Sequence, residues 1–188
     1  MQSNIKRSNS GFSLVEVLVV VAILGVLMGG SIITYYTVRS NNVKKSAGYI
    51  SDAMTECRNR AMTTQAESWK VEVTKKYARV VKVEAGGNEQ IISSNDLPSH
   101  VAVTFIDGES LTEFDLFDES LGYDSVIITY KLLSGEINKV VAVMDGAETI
   151  IYDGSQSSKY CDIVCDYENK KSRSIRLYYS TGKNVNLD

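Results

Sequence analysis

A long uncharged run near the amino terminus constrains the fold of this chain more than any other feature. No Asp, Glu, Lys or Arg occurs for 22 residues, from residue 17 to residue 38. At 1.5 Å per residue, a helix over this run is about 33 Å long, enough to cross the hydrocarbon layer of a membrane. The only proline is Pro98, so nothing interrupts a helix between residues 12 and 67. The sequence therefore predicts one continuous helix of about 55 residues, roughly 80 Å long.

The second half of this predicted helix carries its apolar residues on one face. They recur at helical steps of three and four, at Val43, Ala47, Ile50, Met54, Cys57 and Ala61. Charged residues occupy the other faces, and Glu56 and Arg60 are spaced to pair across one turn. We therefore expect residues 12–38 to need lipid or like helices, and residues 39–67 to pack on their own domain.

From residue 69 onward, apolar and polar residues alternate with period two, which is typical of β-strands. Turn residues between such runs indicate hairpins around residues 74–76, 134–136 and 181–183. We expect residues 68–188 to form a mostly antiparallel sheet wrapped on residues 39–67. The predicted fold class is α+β, with a long amino-terminal spine helix and one globular domain.

Composition argues against several classes of function. The chain has 20 basic and 23 acidic side chains, a formal charge of −3, which disfavours general nucleic-acid binding. The single histidine, His100, leaves little for a catalytic triad or a histidine metal site, and the three cysteines lack the paired spacing of a zinc site. No nucleophile, base and orienting group can be assembled, so we expect no enzymatic activity and no cofactor.

The most specific motif lies just before the apolar run. A polar leader with Lys6 and Arg7 is followed by GFSLVE at residues 11–16, which places the lone carboxylate of Glu16 at the head of the run. A charge in a membrane helix costs about 2.5–3.5 kcal/mol on insertion scales, so Glu16 is a candidate functional residue. This arrangement resembles the processing site of type IV prepilins and of type II secretion pseudopilins.

The resemblance implies how such a chain is processed and where it resides. Prepilin peptidase is expected to remove the leader, residues 1–11, by cutting between Gly11 and Phe12, and then to methylate the amine of Phe12. The mature chain, with a charge of −5, is expected in the cytoplasmic (inner) membrane as a single-pass protein with its carboxy-terminal domain outside. It then joins a surface pilus or a pseudopilus.

The family also implies partners and a role for Glu16. The expected partners are other pilin subunits through the amino-terminal helix, the peptidase/methyltransferase, the inner-membrane assembly machinery, and lipid before assembly. The carboxylate of Glu16 is expected to set the register of assembly by pairing with the amine of Phe12, its own or a neighbour's. The order of strands resembles that of minor pilins and of tip pseudopilins similar to the general-secretion H component.

An ordinary secretory signal is the alternative interpretation of the amino terminus. Residues 1–31 have a basic start, an apolar centre and small residues at 29–31. The mature protein would then be a secreted or singly anchored β-rich binding domain that does not polymerise. Glu16 interrupts the start of the apolar run, and the helical pattern continues past Ser31, so the prepilin interpretation is favoured.

Three weaker candidates lie in the domain. Cys161 and Cys165 are four apart in a segment that we interpret as a loop, where pilins often carry a disulfide-closed loop. A disulfide between them requires a turn or helix, and free thiols or a cross-link to Cys57 are the alternatives.

Residues 107–124 contain no Lys or Arg and could offer oxygen ligands to calcium. The calcium candidates are Asp107, Glu109, Asp115, Asp118, Glu119 and Asp124.

The last candidate is a basic and aromatic patch near the carboxy terminus. Cations and rings of this kind can neutralise and stack single-stranded DNA. The residues are Lys159, Lys170, Lys171, Arg173, Arg176, Tyr160, Tyr167, Tyr178 and Tyr179. Because the whole chain is acidic, nucleic acid is not an expected partner.

Overall fold

The computed structural model describes residues 13–64, 68–117, 122–167 and 171–187, and only the backbone of residues 29–34, 36 and 171. The described residues contain one helix and eleven strands. The chain divides into two compact units, Met1–Val38 and Arg39–Asp188. The α+β fold class is confirmed.

Helix α1 spans Leu14–Thr63, 50 residues. Ser13 caps its amino-terminal end, because the backbone N–H of Glu16 donates to the Ser13 carbonyl oxygen (3.0 Å) and hydroxyl (3.2 Å). The continuous helix that the absence of proline predicts is present from residue 14 to residue 63. Residues 12 and 65–67, at the ends of the predicted helix, lie outside the described residues.

Within the described part of the chain, no helix is both long enough and apolar enough to cross a membrane.

The strands follow the helix in chain order. They are β1 (Ser68–Thr74), β2 (Tyr77–Val83), β3 (Glu89–Asp96), β4 (Ala102–Asp107), β5 (Glu113–Asp115), β6 (Ser125–Tyr130), β7 (Ile137–Met144), β8 (Ala147–Tyr152), β9 (Tyr160–Tyr167), β10 (Lys171–Tyr178) and β11 (Asn184–Leu187). All three predicted hairpins are present, as β1–β2, β6–β7 and β10–β11.

The prediction of a single sheet was wrong. The strands form a six-stranded sheet, ordered β3-β2-β1-β6-β7-β8, and a five-stranded sheet, ordered β11-β10-β9-β4-β5. Two sheets form because strands that are distant in sequence pair with each other. Strand β1 pairs with β6 in one sheet and β4 pairs with β9 in the other, each pair antiparallel. Strands β3, β5 and β9 were not expected from the sequence.

The core lies between the two sheets and the second half of α1. The six apolar residues predicted to face the domain are all buried, none more than 7% exposed, so the predicted helix face is confirmed. Ala53 and Ser46 are buried with them. In the sheets, alternate residues point inward, as in β9, where the buried side chains are Cys161, Ile163, Cys165 and Tyr167.

The second half of α1 bridges one edge of each sheet. On one flank, the Ser93 hydroxyl of edge strand β3 donates to Glu56 (2.7 Å). On the other flank, the amide of Asn184, in edge strand β11, donates to the Ser51 hydroxyl (2.6 Å) and accepts from Thr55 (3.1 Å). The helix therefore covers the gap between the edge strands β3 and β11 of the two sheets. It does not cover the gap between the opposite edge strands, β5 and β8.

Candidate functional site

The first turns of α1 present apolar side chains on every face. All side chains from residue 13 to residue 28 are exposed, including Leu14 at 83% and Leu27 at 62%. A helix that is apolar all round requires lipid or other helices around it. This segment, residues 14–28, is the candidate assembly segment of the chain.

Glu16 is the only charged side chain of the candidate assembly segment. It lies in the first turn, where a carboxylate interacts favourably with the positive end of the helix dipole. The pattern Ser-x-x-Glu at residues 13–16 is a helix-start signal, and it would have located the beginning of α1 from the sequence alone. Gly11 and Phe12, the predicted cleavage and methylation positions, lie outside the described residues.

In the second half of α1, Glu56 connects the helix to the domain. Its carboxylate accepts hydrogen bonds from the Ser93 hydroxyl and from Arg60 Nε (2.9 Å), and the predicted pairing with Arg60 is confirmed. The hydrogen bond from Ser93 is the main reason that the pKa of Glu56 lies below its ordinary value, and the bond and charge of Arg60 add to it. Glu56 is therefore ionised at neutral pH and holds α1 to edge strand β3.

The predicted loop around Cys161 and Cys165 was wrong, and so was the candidate disulfide. Both residues lie in strand β9 with buried free thiols, and Cys57 is likewise free and buried. Four residues of strand span about 13 Å, whereas the α-carbons of a disulfide lie within about 7 Å. Burial raises the pKa of Cys161 and of Cys165 to about 12, so both thiols are protonated and unreactive at neutral pH.

The structure does not bring together the calcium candidates that it describes. Asp107, Asp115 and Asp124 each accept backbone N–H groups, from Ser110 (2.8 Å), Phe117 (2.8 Å) and Asp145 (2.8 Å) respectively. Among the residues that the structure describes, no three His, Cys, Asp or Glu side chains are placed to hold a metal ion. Asp118 and Glu119 lie outside those residues.

Much of the basic and aromatic patch is used within the domain. Tyr167 and Tyr179 are buried, and Arg39 lies 3.9 Å from the centre of the Tyr167 ring. Arg176 lies 3.9 Å from the centre of the Tyr160 ring. Its guanidinium also forms a bidentate ion pair with Asp162, at 2.7 and 2.8 Å. These rings and this cation are therefore not arranged as an open stacking surface for single-stranded DNA.

Comparison with known proteins places one family model on the amino terminus. The model of the prokaryotic N-terminal methylation motif matches residues 6–32. The chain carries a prepilin-type signal. A comparison with curated proteins and with solved structures finds no match.

The prepilin-type signal covers the basic leader, Glu16 and most of the uncharged run. It supports a type IV pilin-like or pseudopilin substrate of prepilin peptidase. The sheet domain lies outside the matched residues. The signal overlaps the candidate assembly segment, because residues 14–28 lie within the matched residues 6–32.

Proposed function

We propose that the chain is a structural subunit of a type IV pilus or of a type II secretion-like filament. Prepilin peptidase cuts it between Gly11 and Phe12 and methylates Phe12. The mature subunit is then held in the cytoplasmic membrane by its amino-terminal helix and polymerises through that helix. The observation that carries this proposal is the prepilin-type signal at residues 6–32, which overlaps the exposed apolar first part of the 50-residue helix α1.

The apolar surface of the assembly segment has to stay out of water at every stage of this proposal. Complete burial of one Val, Leu or Ile side chain contributes about 1.5–3 kcal/mol. Residues 14–28 expose a series of such side chains, each at least 46% accessible. Lipid covers this surface before assembly, and the helices of neighbouring subunits cover it afterwards. Exchange of one apolar environment for the other lets a subunit leave the membrane without exposing the segment to water.

Glu16 gives this exchange a defined register. Apolar contacts alone tolerate sliding of one helix along another, whereas an ionised carboxylate in an apolar bundle requires a cation at one position. The amine of a mature chain that begins at Phe12 is such a cation. The assembly machinery and the other subunits are the partners of this step, and nucleic acid is not.

Within the family we assign the chain to the minor pilins or pseudopilins, similar to the general-secretion H component. The support is the order of elements, a spine helix followed by β-strands and closed by the β10–β11 hairpin. We assign no catalytic activity to the chain. The three thiols are buried, and the sequence offers no nucleophile, base and orienting group that could together form a catalytic centre.

The competing function is a secreted or singly anchored binding domain that does not polymerise. Filaments sheared from the cell surface distinguish the two. In cells with prepilin peptidase, we expect to find the mature chain in the sheared filaments. In cells without the peptidase, we expect to find only the unprocessed precursor, and only in the membrane fraction. The proposal is contradicted if the chain is absent from the material sheared from both kinds of cells and is processed to the same extent with and without the peptidase.

A further inference from the structure

The first turns of α1 after the uncharged run carry positive charge only. From residue 17 to residue 51 the charged side chains are Arg39, Lys44 and Lys45, and the next acidic residue is Asp52. Lys44 and Lys45 are exposed, and neither forms an ion pair with another residue that the structure describes. The proposed pairing of Glu16 with a terminal amine does not use these cations.

Lys44 and Lys45 lie close to the point where the helix enters the domain. Arg39 is the first residue of the Arg39–Asp188 unit, and Lys44 follows it by five residues, about 7.5 Å along the helix axis. The Cα–Cβ bonds of a helix tilt toward its amino-terminal end, so both lysines point back toward Arg39. A headgroup layer is about 5–7 Å thick. If the uncharged run ends at the bilayer surface, both ammonium groups therefore reach the lipid headgroups.

A pocket on the flank of α1 brings Lys44 together with a second cation. The pocket has a volume of about 350 Å³ and lies between α1 and strands β10 and β11. Arg173 of β10 lines it together with Lys44, and Ser174 and Asn186 add side chains that can donate hydrogen bonds. No Asp or Glu occurs among its lining residues in the part of the chain that the structure describes. This combination of donors and positive charge suits a phosphate group.

Strand β9 connects this pocket to the same end of the domain. Arg173 pairs with Cys165 of β9. Two residues further along β9, about 7 Å of strand, the ring of Tyr167 lies 3.9 Å from the guanidinium carbon of Arg39. Two separate parts of the chain, α1 and β10, therefore place cations at the end of the domain that contains Arg39.

We propose that this end of the domain binds the phosphate headgroup of an anionic phospholipid while the subunit is held in the membrane. The proposal rests on the proposed function, because only an anchored chain brings the pocket to a bilayer. The phosphate accepts hydrogen bonds from Lys44 and Arg173, and Lys45 adds to the positive potential. A zwitterionic lipid is disfavoured because its own ammonium group cancels the charge of its phosphate.

An acidic side chain of a neighbouring subunit is the competing occupant. Such a carboxylate would pair with Lys44 or Lys45 in the filament rather than in the membrane. Lipid is favoured because both lysines point back toward the apolar run and lie within the depth of the headgroups. The two occupants differ in a measurable way, since only the first gives an isolated subunit a preference among lipids.

The test measures which phospholipids the full chain binds. The chain is purified in a nonionic detergent and titrated separately with phosphatidylglycerol, which is anionic, and with phosphatidylcholine, which is zwitterionic. Native mass spectrometry counts the lipids bound to each chain. Two variants alter the pocket and its surroundings, the double variant Lys44→Gln with Lys45→Gln, and the single variant Arg173→Gln.

The matched control is Lys159→Gln with Lys183→Gln. Both lysines are exposed, and the double substitution removes the same charge as the double variant of α1. They lie at the other end of the domain, because the Lys159 and Lys183 carbonyl oxygens accept from the backbone N–H groups of Tyr179 and Tyr178, beside the turn that contacts α1 at Arg58. Thermal unfolding of every variant checks that the domain is folded.

The attraction of one basic residue to an anionic lipid surface corresponds to about a fivefold change in an equilibrium. We therefore expect the parent chain to bind phosphatidylglycerol at least about tenfold more tightly than phosphatidylcholine. We expect Lys44→Gln with Lys45→Gln to lose most of this preference, Arg173→Gln to reduce it about fivefold, and the control to keep it within about twofold.

The other outcomes overturn the proposal in distinguishable ways. A parent chain that binds neither lipid contradicts the membrane anchoring of the proposed function, and this proposal with it. A parent chain that binds both lipids equally overturns the headgroup proposal alone. An unchanged lipid preference in the Lys44→Gln with Lys45→Gln variant, together with its loss from sheared filaments, assigns these lysines to a neighbouring subunit instead.

Discussion

Replacement of Glu16 by valine is expected to lower incorporation of the chain into filaments at least about tenfold, while cleavage and membrane insertion continue. The reason is that valine preserves the apolar surface of residues 14–28 but removes the charge that pairs with a neighbour's terminal amine. Hydrogen bonds to charged groups contribute about 1.5–3 kcal/mol, which corresponds to roughly a 10- to 150-fold change in an equilibrium. The measurement is quantitative immunoblotting of sheared filaments and membranes.

Two further variants isolate the charge of Glu16. Glu16→Gln keeps the size and polarity of the side chain and removes only its charge, so we expect it to assemble as poorly as Glu16→Val. Asp52→Asn makes the same change at an exposed carboxylate in the second half of α1, and we expect normal incorporation. If Glu16→Val is incorporated normally, Glu16 does not set the register.

Replacement of Gly182 by alanine is expected to destabilise the domain by about 3 kcal/mol or more. Gly182 has a φ of +61°, and an added Cβ would fall on the carbonyl oxygen of Gly135, in the loop of the β6–β7 hairpin. A left-handed backbone costs a non-glycine residue about 1–2 kcal/mol, and overpacking adds typically 1–3 kcal/mol. Urea unfolding of the full chain, followed by the fluorescence of Trp69, measures the loss.

The corner around Gly182 holds the end of α1 to both sheets, which is why the effect is large. Arg58 donates to the Thr181 carbonyl oxygen (2.8 Å), and the backbone N–H of Leu133 donates to the Ala61 carbonyl oxygen (2.9 Å). The matched control is Gly146→Ala, because Gly146 has a φ of +79° but open space where its Cβ would lie. We expect this control to lose only about 1–2 kcal/mol. Equal losses in the two variants would show that the contact with Gly135 is unimportant.

The sequence was most informative where the pattern is local. The helical period of residues 43–61 identified the buried face of α1, since a helix face depends only on spacing along the chain. The three predicted hairpins follow from turn residues between alternating runs. The turn at Asp145 and Gly146 is a further hairpin signal of the same kind, and it joins β7 to β8.

Elements with weak or unusual patterns were missed. Strand β3 is an exposed edge strand and shows no clear alternation, and β5 has three residues. Strand β9 does alternate, but two of its inward positions are cysteines, which we interpreted as members of a loop. The pattern was present, and the expectation of a disulfide obscured it.

The groove between edge strands β5 and β8 could not be predicted because it depends on which strands lie at the edges of the two sheets. Asp107 and Ile150 are far apart in sequence, and they line one groove only because β4 pairs with β9 and β8 pairs with β7. Sequence spacing carries little information about such long-range pairing. The calcium hypothesis depended on the number of carboxylates in residues 107–124, whereas Asp107, Asp115 and Asp124 each accept a backbone N–H group instead.

The most direct test of the proposed function is the intact mass and amino-terminal sequence of the chain extracted from membranes. We predict a mature chain that begins at Phe12 and carries one added methyl group, which establishes prepilin processing at the signal that covers residues 6–32. A chain that begins near Ile32 without a methyl group would contradict the proposal, because an ordinary secretory signal would then have been removed together with Glu16 and the apolar segment on which assembly depends.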